Sequence, residues 1–303
     1  MLRFWRILKR AATEFVNDNG LKFSASLSYY TIFSIGPVLI IIISLAGIFY
    51  GKEAVEGKIY YQLNGLVGSS AADQIQDIIQ NIEESQLSTS GAVVGIVVLL
   101  IGATGVFTEI QDSINYIWSV RAKPQKGWLK LLINRLLSFS LIISFGFVLL
   151  VSLIIHAMVD ILHERLMHFF DEGTVYIFLV INYVILFAII STLFAIIFKV
   201  LPDAKIHWKD AFVGAGFTAA LFLIGKLLIG LYISKSDIGI TYGAAASIVL
   251  ILLWVYYSSI ILYFGAEFTK VYALSYGSGI EPDKTAVFIV KQEVKELDYE
   301  KIK

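Results

Sequence analysis

The chain has no cysteine among its 303 residues. Disulfides, thiolate nucleophiles and cysteine metal sites are therefore excluded, although that absence does not identify a compartment. Histidine is scarce, with 4 in the chain, and His207 is separated in sequence from the other three. The patterns GxxxxGK[ST], HExxH and GxSxG do not occur, so nucleotide-hydrolase, zinc-protease and serine-hydrolase readings have no support. The chain is not read as an enzyme, and no cofactor is expected. Charge is sparse at 16%, and only 4 prolines occur. Each proline therefore stands out where it interrupts a helical pattern.

What is abundant is apolar surface. Hydrophobic residues make up 57% of the chain and the mean hydropathy is +0.77, beyond the range of an ordinary soluble domain. Six apolar stretches cover roughly 33–49, 92–107, 136–157, 175–198, 211–232 and 244–268. A helix needs about 20 apolar residues to cross a bilayer, and each stretch approaches that length. The runs are continuous, with no alternation, which argues against an outer-membrane barrel. The expected fold is all-α: a polytopic membrane protein with six transmembrane helices and short amphipathic helices. Its expected domains are a membrane unit over 1–275 and a cytoplasmic tail over 276–303.

Basic residues alternate between the connections. The N-terminal segment carries Arg3, Arg6, Lys9, Arg10 and Lys22, and the second connection carries Arg121, Lys123, Lys126, Lys130 and Arg135. Lys199, Lys205 and Lys209 lie in the fourth, and the tail from Lys270 onward is again basic-rich. The remaining connections hold only Lys52, Lys58, Arg165 and Lys235. Lys and Arg are retained on the cytoplasmic side. The pattern therefore predicts both termini in the cytoplasm and an even number of crossings. The net charge of zero conceals this split.

Residues 2–16 read as an amphipathic helix, with Phe4, Trp5, Leu8, Ala12 and Phe15 on one face and basic residues around the other. This suits an anionic inner leaflet; with no recognition fold around the charges, nucleic acid is not the expected partner. Residues 69–86, with Ile75, Ile78, Ile79 and Ile82 at helical spacing, read as an external amphipathic helix. The tail from Tyr276 opens Gly-Ser-Gly and reads as a cytoplasmic extension that is partly disordered.

Several residues are candidates for a polar site within the membrane. Ser24, Ser28 and Thr31 share a face of the first helix, and Gly36-Pro37 predicts a kink above them. Such a face could line a polar path, or its hydroxyls could bond back to their own helix. Lys226 is the only ionisable residue in the middle of a stretch, and Asn182 enters the fourth stretch at a comparable depth. An intramembrane charge normally faces the bundle interior or snorkels outward. Glu109 and Glu267 fall at the cytoplasmic ends of the second and sixth helices, where a meeting pair could hold a cation or a proton. His156, Asp160 and His163 share a helical face, a weak zinc signal. Along the fifth stretch, Gly214 and Gly225 lie on one side and Gly216, Ala219 and Gly230 on another, which predicts a central helix touched by two neighbours.

Four stretches in order resemble the YihY/BrkB family of bacterial inner-membrane proteins, from about Phe23 to Tyr272. The first is FSASLSYYTIFSIGPVLI, similar to the family's first-helix motif of small residues, paired aromatics and a proline. The second is EIQDSINYIWSV, with Asn115 and Trp118 in the expected places. The third is LPDAKIHWKDAFVGA, which matches through Pro202, Trp208, Gly214 and Ala215. The last crossing matches through Tyr242, Gly243, Trp254, Tyr256, Gly265, Ala266 and Glu267. The resemblance implies six membrane helices and cytoplasmic ends, and little about chemistry. Some members have carried a ribonuclease label, but this chain has no carboxylate or histidine constellation in a soluble domain that would cleave RNA. Others carry a virulence label, which describes a phenotype.

The function expected from these features is transport of a small solute, ion or lipid, or maintenance of the envelope. A non-transport scaffold for envelope partners is the alternative. The bilayer is the expected partner, and homo-oligomer formation is left open by the sequence.

Overall fold

The structure is a computed structural model that describes residues 2–34, 60, 76, 105–123, 172–235 and 246–291. Helix α1 covers Leu2–Asn17. It stops where Asn19 takes a left-handed backbone (φ 59°), a conformation asparagine tolerates better than most residues. Helix α2 follows within 20–34 and α3 covers 105–117. After Ser119 comes strand β1, Val120–Ala122. Three long apolar helices complete the set: α4 (Glu172–Val200), α5 (Trp208–Lys235) and α6 (Ala246–Ser275).

The protein is thus mostly helical, and α4, α5 and α6 are each long and apolar enough to cross a membrane, over Tyr183–Val200, Trp208–Ile229 and Ile248–Ser275. The apolar stretch 136–157 and the proposed external helix over 69–86 lie outside the described residues, apart from residue 76; so do most of stretches 33–49 and 92–107.

Helix α5 is the centre of the described bundle, packed against both α4 and α6, as its two small-residue faces predicted. Gly216 faces Phe187 of α4, while Gly214 and Gly225 face α6. The α5–α6 contact is reciprocal. A Cβ on Gly214 would overlap the Thr269 side chain, and one on Gly265 would overlap Thr218. Each threonine donates its hydroxyl to the glycine carbonyl one turn back on its own helix: Thr218 to Gly214 at 2.8 Å and Thr269 to Gly265 at 2.6 Å. The polar hydroxyls are consumed locally, so the two backbones approach without a buried unpaired group.

Helix α1 packs on α6 through a stripe at every fourth residue. Ile7, Ala11 and Phe15 are buried, with Phe268 and Val271 beneath the first two and Phe264 edge-on to Phe15. Of the face expected to lie on the inner leaflet, Phe15 is buried against the bundle, while Phe4 and Trp5 are exposed, Trp5 at 66%. The small Ala11 side chain permits the close approach that a tryptophan at the contact would prevent.

Two short antiparallel ladders cap one end. Strand β1 pairs with β4 (Ala286–Phe288), Val120 opposite Phe288 and Ala122 opposite Ala286. Strand β2 (Ala204–Lys205) pairs with β3 (Glu281–Pro282). The described residues remain mostly helical, and the described part of the tail, as far as residue 291, lies on the bundle: Ile280 and Ala286 are buried in the main core with Ile117, Trp118, Ile206 and Tyr263.

Candidate functional site

The end of the bundle that carries the ladders is held by side chains from four separate segments. Lys199, in the last turn of α4, donates to the Ile206 carbonyl at 2.5 Å and lies 6.0 Å from the Trp208 ring centroid. A cation there also complements the carbonyl end of the helix. The intervening loop, which holds the buried Pro202, turns back on α3 through Asp203. Gln111 Nε2 and Asn115 Nδ2 both donate to Asp203 Oδ2, at 3.2 and 2.8 Å. Trp118 Nε1 donates to the Ala266 carbonyl of α6 at 3.0 Å. Asp210, in the first turn of α5, accepts from the Ser278 N–H at 2.9 Å and lies against Gly277, which fixes the turn that ends α6.

Beside this frame sits a buried network of charges. Glu267 and Lys270 are one turn apart on α6, and Glu14 and Asp18 are one turn apart at the end of α1. Lys270 Nζ lies 2.7 Å from Glu267 Oε2, 2.8 Å from Glu14 Oε2 and 3.2 Å from Asp18 Oδ2. It also donates to the Ile117 carbonyl at 2.9 Å. An ammonium has three protons for these four acceptors, so the cage is saturated. Lys291 Nζ reaches Asp18 Oδ2 at 2.6 Å and lies 4.3 Å from the Tyr116 ring centroid. Arg10 Nε donates to Glu14 Oε1 at 2.7 Å. The formal charges balance: Glu14, Asp18 and Glu267 against Arg10, Lys270 and Lys291.

Glu267 is 0% exposed; its Oε2 meets Lys270 at 2.7 Å, and its carboxyl also interacts with the Asp18 side chain. Burying a carboxylate is costly unless a counter-charge compensates it. Outside the spans, burial pushes the Glu14 carboxyl up, but hydrogen bonds from Lys270 and Arg10 outweigh it and hold the group below its ordinary value. Asp18 behaves alike: burial raises it, and Lys291 together with the other neighbours brings it below the usual range. Burial pushes the Lys291 ammonium down, and Asp18 offsets only part of that.

The residues singled out from sequence are distributed as follows. Glu267 is at the centre of the network. Glu109 is half-buried elsewhere, with Asp112 and Tyr263 as its electrostatic neighbours, so the two carboxylates have different partners. Ser24, Ser28 and Thr31 donate to the carbonyls of Gly20, Ala25 and Leu27, each at 2.8 Å, which is the back-bonded alternative. Lys226 is exposed on α5, and the Asn182 side chain is outside the described residues. Asn115, Trp118, Pro202, Trp208, Gly214 and Gly265 build the frame. Trp254 packs edge-on to Phe222 of α5. Pro37, Tyr242, Gly243, His156, Asp160 and His163 lie outside the described residues. Among the described residues no cluster of His, Asp and Glu could hold a metal ion.

Sequence reasoning missed Lys270, Glu14, Asp18, Lys291 and Asp203 as site residues. Two signals were available: Lys270 follows Glu267 at i+3 inside an apolar run, and Glu14 and Asp18 are an i, i+4 acidic pair in a basic segment. Chemically, the network can lock α1, α3, α6 and the tail together.

Comparison with known proteins agrees with the motifs. A family model described as Virulence factor BrkB matches residues 11–288. A UPF0761 membrane protein of Azotobacter vinelandii is 29% identical over 274 residues, covering 88% of this chain and 62% of its own length. One from Rhodospirillum centenum is 25% identical over 266 residues, covering 87% and 56%. One from Psychromonas ingrahamii is 28% identical over 251 residues, covering 80% and 79%. The chain spans about 60% of the length of the first curated relatives it matches. No solved structure matches it.

Proposed function

The chain belongs to the Virulence factor BrkB family, and we propose that it is an inner-membrane protein that moves a small solute, ion or lipid, or maintains the envelope, with the Lys270 network as its cytoplasmic closure. In this reading residues 1–275 form a unit of six spanning helices, both termini are cytoplasmic, 276–303 belongs to the cytoplasmic side, and no catalysis is involved. The basic-rich connections support the orientation.

One observation carries the reading. A lysine and a fully buried glutamate sit inside the last apolar helix, paired across to α1. Charges inside a span are expensive and mark ion or substrate pathways by default. An ion-paired cage that ties α1 to α6 has two discrete states, closed when paired and open when a proton or a solute charge replaces a partner. Alternating access needs such a bistable contact.

The test is flux from liposomes loaded with ions, osmolytes or labelled lipid, using the purified full chain. Flux that is lost in Glu267→Gln while the protein stays folded supports transport. No flux of any cargo, with an envelope protein co-purifying, would replace transport with the scaffold reading.

A further inference from the structure

Away from the charge network, on the outer side of α1, a groove of about 540 Å³ runs between α1, α5 and α6. Its walls are apolar: Phe4 and Ile7 of α1, Val213 and Phe217 of α5, and Phe268 of α6. Phe217 and Phe268 stack at 3.8 Å between centroids, and Phe4 leans on both, at 6.2 and 6.0 Å. This makes a firm aromatic floor. At one end the lining changes to Arg3, Tyr272 and Tyr276.

The axis of the groove has a defined depth. Val213 and Phe217 lie about 8 and 14 Å along α5 from Trp208, at 1.5 Å per residue. On the antiparallel α6 the chain runs from Phe268 through Tyr272 to Tyr276, just past the helix end at Ser275. The apolar part is therefore level with the membrane-spanning segments, and the cationic and phenolic part is level with their ends, where an interface puts tyrosine and arginine. The volume falls in the range of small-molecule sites.

Charge selects among occupants. Among the described residues no acidic side chain pairs with Arg3. The first acidic residue of α1, Glu14, is already engaged by Arg10 and Lys270. A neutral apolar partner helix would leave Arg3 without a counter-charge. A soluble anion would leave the aromatic floor uncovered.

We propose that this groove binds one anionic phospholipid, with an acyl chain along Phe4, Val213, Phe217 and Phe268 and the headgroup phosphate at Arg3. The site is independent of whether the protein transports anything, because it lies outside the Lys270 cage.

Native mass spectrometry of the full chain in detergent, titrated with phosphatidylglycerol or phosphatidylcholine, tests the site. The unaltered protein retains one phosphatidylglycerol in preference to phosphatidylcholine. Arg3→Gln lowers that preference about fivefold, the effect of losing one basic residue at an anionic surface. Val213→Trp, at an exposed position that fills the groove, removes retention of both lipids. Arg6→Gln, outside the lining, leaves the preference unchanged. Equal retention of the two lipids by the unaltered protein, an equal loss in Arg6→Gln, or retention that survives Val213→Trp would overturn the proposal. So would a shift from dimer to monomer in Val213→Trp without change in lipid, which would make a second copy of the chain the occupant.

Discussion

Asn115 and Asp203 hold each other through two hydrogen bonds of 2.8 Å: Asn115 Nδ2 donates to the Asp203 carboxylate, and the Asp203 backbone N–H donates to Asn115 Oδ1. Residues 88 positions apart are thereby fixed in both distance and orientation. The pairing fixes the α4–α5 loop against α3, and it depends on an amide that donates and accepts at once. Asn115→Ala leaves the carboxylate with Gln111 alone and the Asp203 N–H unpaired. A loss of about 2–3 kcal/mol is expected, seen as a lower thermal midpoint in detergent. Asn115→Asp should be worse, because the acceptor face is kept and the donor face becomes a second negative charge.

The glycine–threonine exchange between α5 and α6 is a steric lock. Gly214→Ala and Gly265→Ala should each cost about 1–3 kcal/mol through overpacking. Combining Gly214→Ala with Thr269→Ala removes the obstructing branch, so the pair should lose less than the sum of the two single changes. Additive losses in chemical-denaturation curves would mean that the helices adjust by sliding apart.

Lys270 is the cation on which three carboxylates converge. Lys270→Met leaves Glu267 buried without its counter-charge, and about 3–5 kcal/mol of destabilisation is expected. The double change Lys270→Met with Glu267→Leu removes both members, and should recover much of that loss. Thermal midpoints of the two single variants and the double variant decide this directly.

The network also sets a pH dependence. Glu14 and Asp18 have carboxyls held below their ordinary values of 4.5 and 3.8. A depressed carboxyl contributes stability that is present above its unfolded value and disappears as pH falls through its folded value. The docking of α1 should therefore hold at neutral pH and weaken below about pH 4. Limited proteolysis after α1 is the readout, and Asp18→Asn should flatten the acid-side slope. Cleavage that increases toward alkaline pH, with none at acid pH, would contradict the sign.

Lys226 offers a contrast. It is exposed among Leu227, Leu228 and Leu231, with no described ion-pair partner. Lys226→Met should change the stability by no more than about 0.5 kcal/mol, as for surface changes generally, leaving the thermal midpoint nearly unmoved. Loss of liposome flux in that folded variant would assign it a role in the transport path, and unchanged flux would remove it from the site.

Much of the frame was legible along the chain because periodicity and spacing are local. Gly214, Gly225 and Gly216 announced a helix with two packing faces, and α5 has them. Asn115, Trp118, Pro202 and Trp208 were marked by their motifs, and they build the loop frame. The charged site was less legible. Glu267 was recognised as a carboxylate at a helix end, either an ordinary interfacial one or one that could meet Glu109. Its actual partners come from residues 14, 18 and 270, and only packing of α1 on α6 brings the first two near. The contact face of α1 has the same origin: Ile7, Ala11 and Phe15 meet the bundle only because α1 packs on α6.

Hydropathy and the distribution of Lys and Arg by themselves determined that this is a helical membrane protein, because transfer of about 20 apolar residues into a bilayer depends on composition and hardly on sequence neighbours. Tertiary structure alone decided where the charges go. An ion pair forms between side chains brought within a few ångströms, and no periodicity specifies that Lys270 will meet Glu14, Asp18 and Glu267, or that the tail will return to pair with Val120–Ala122.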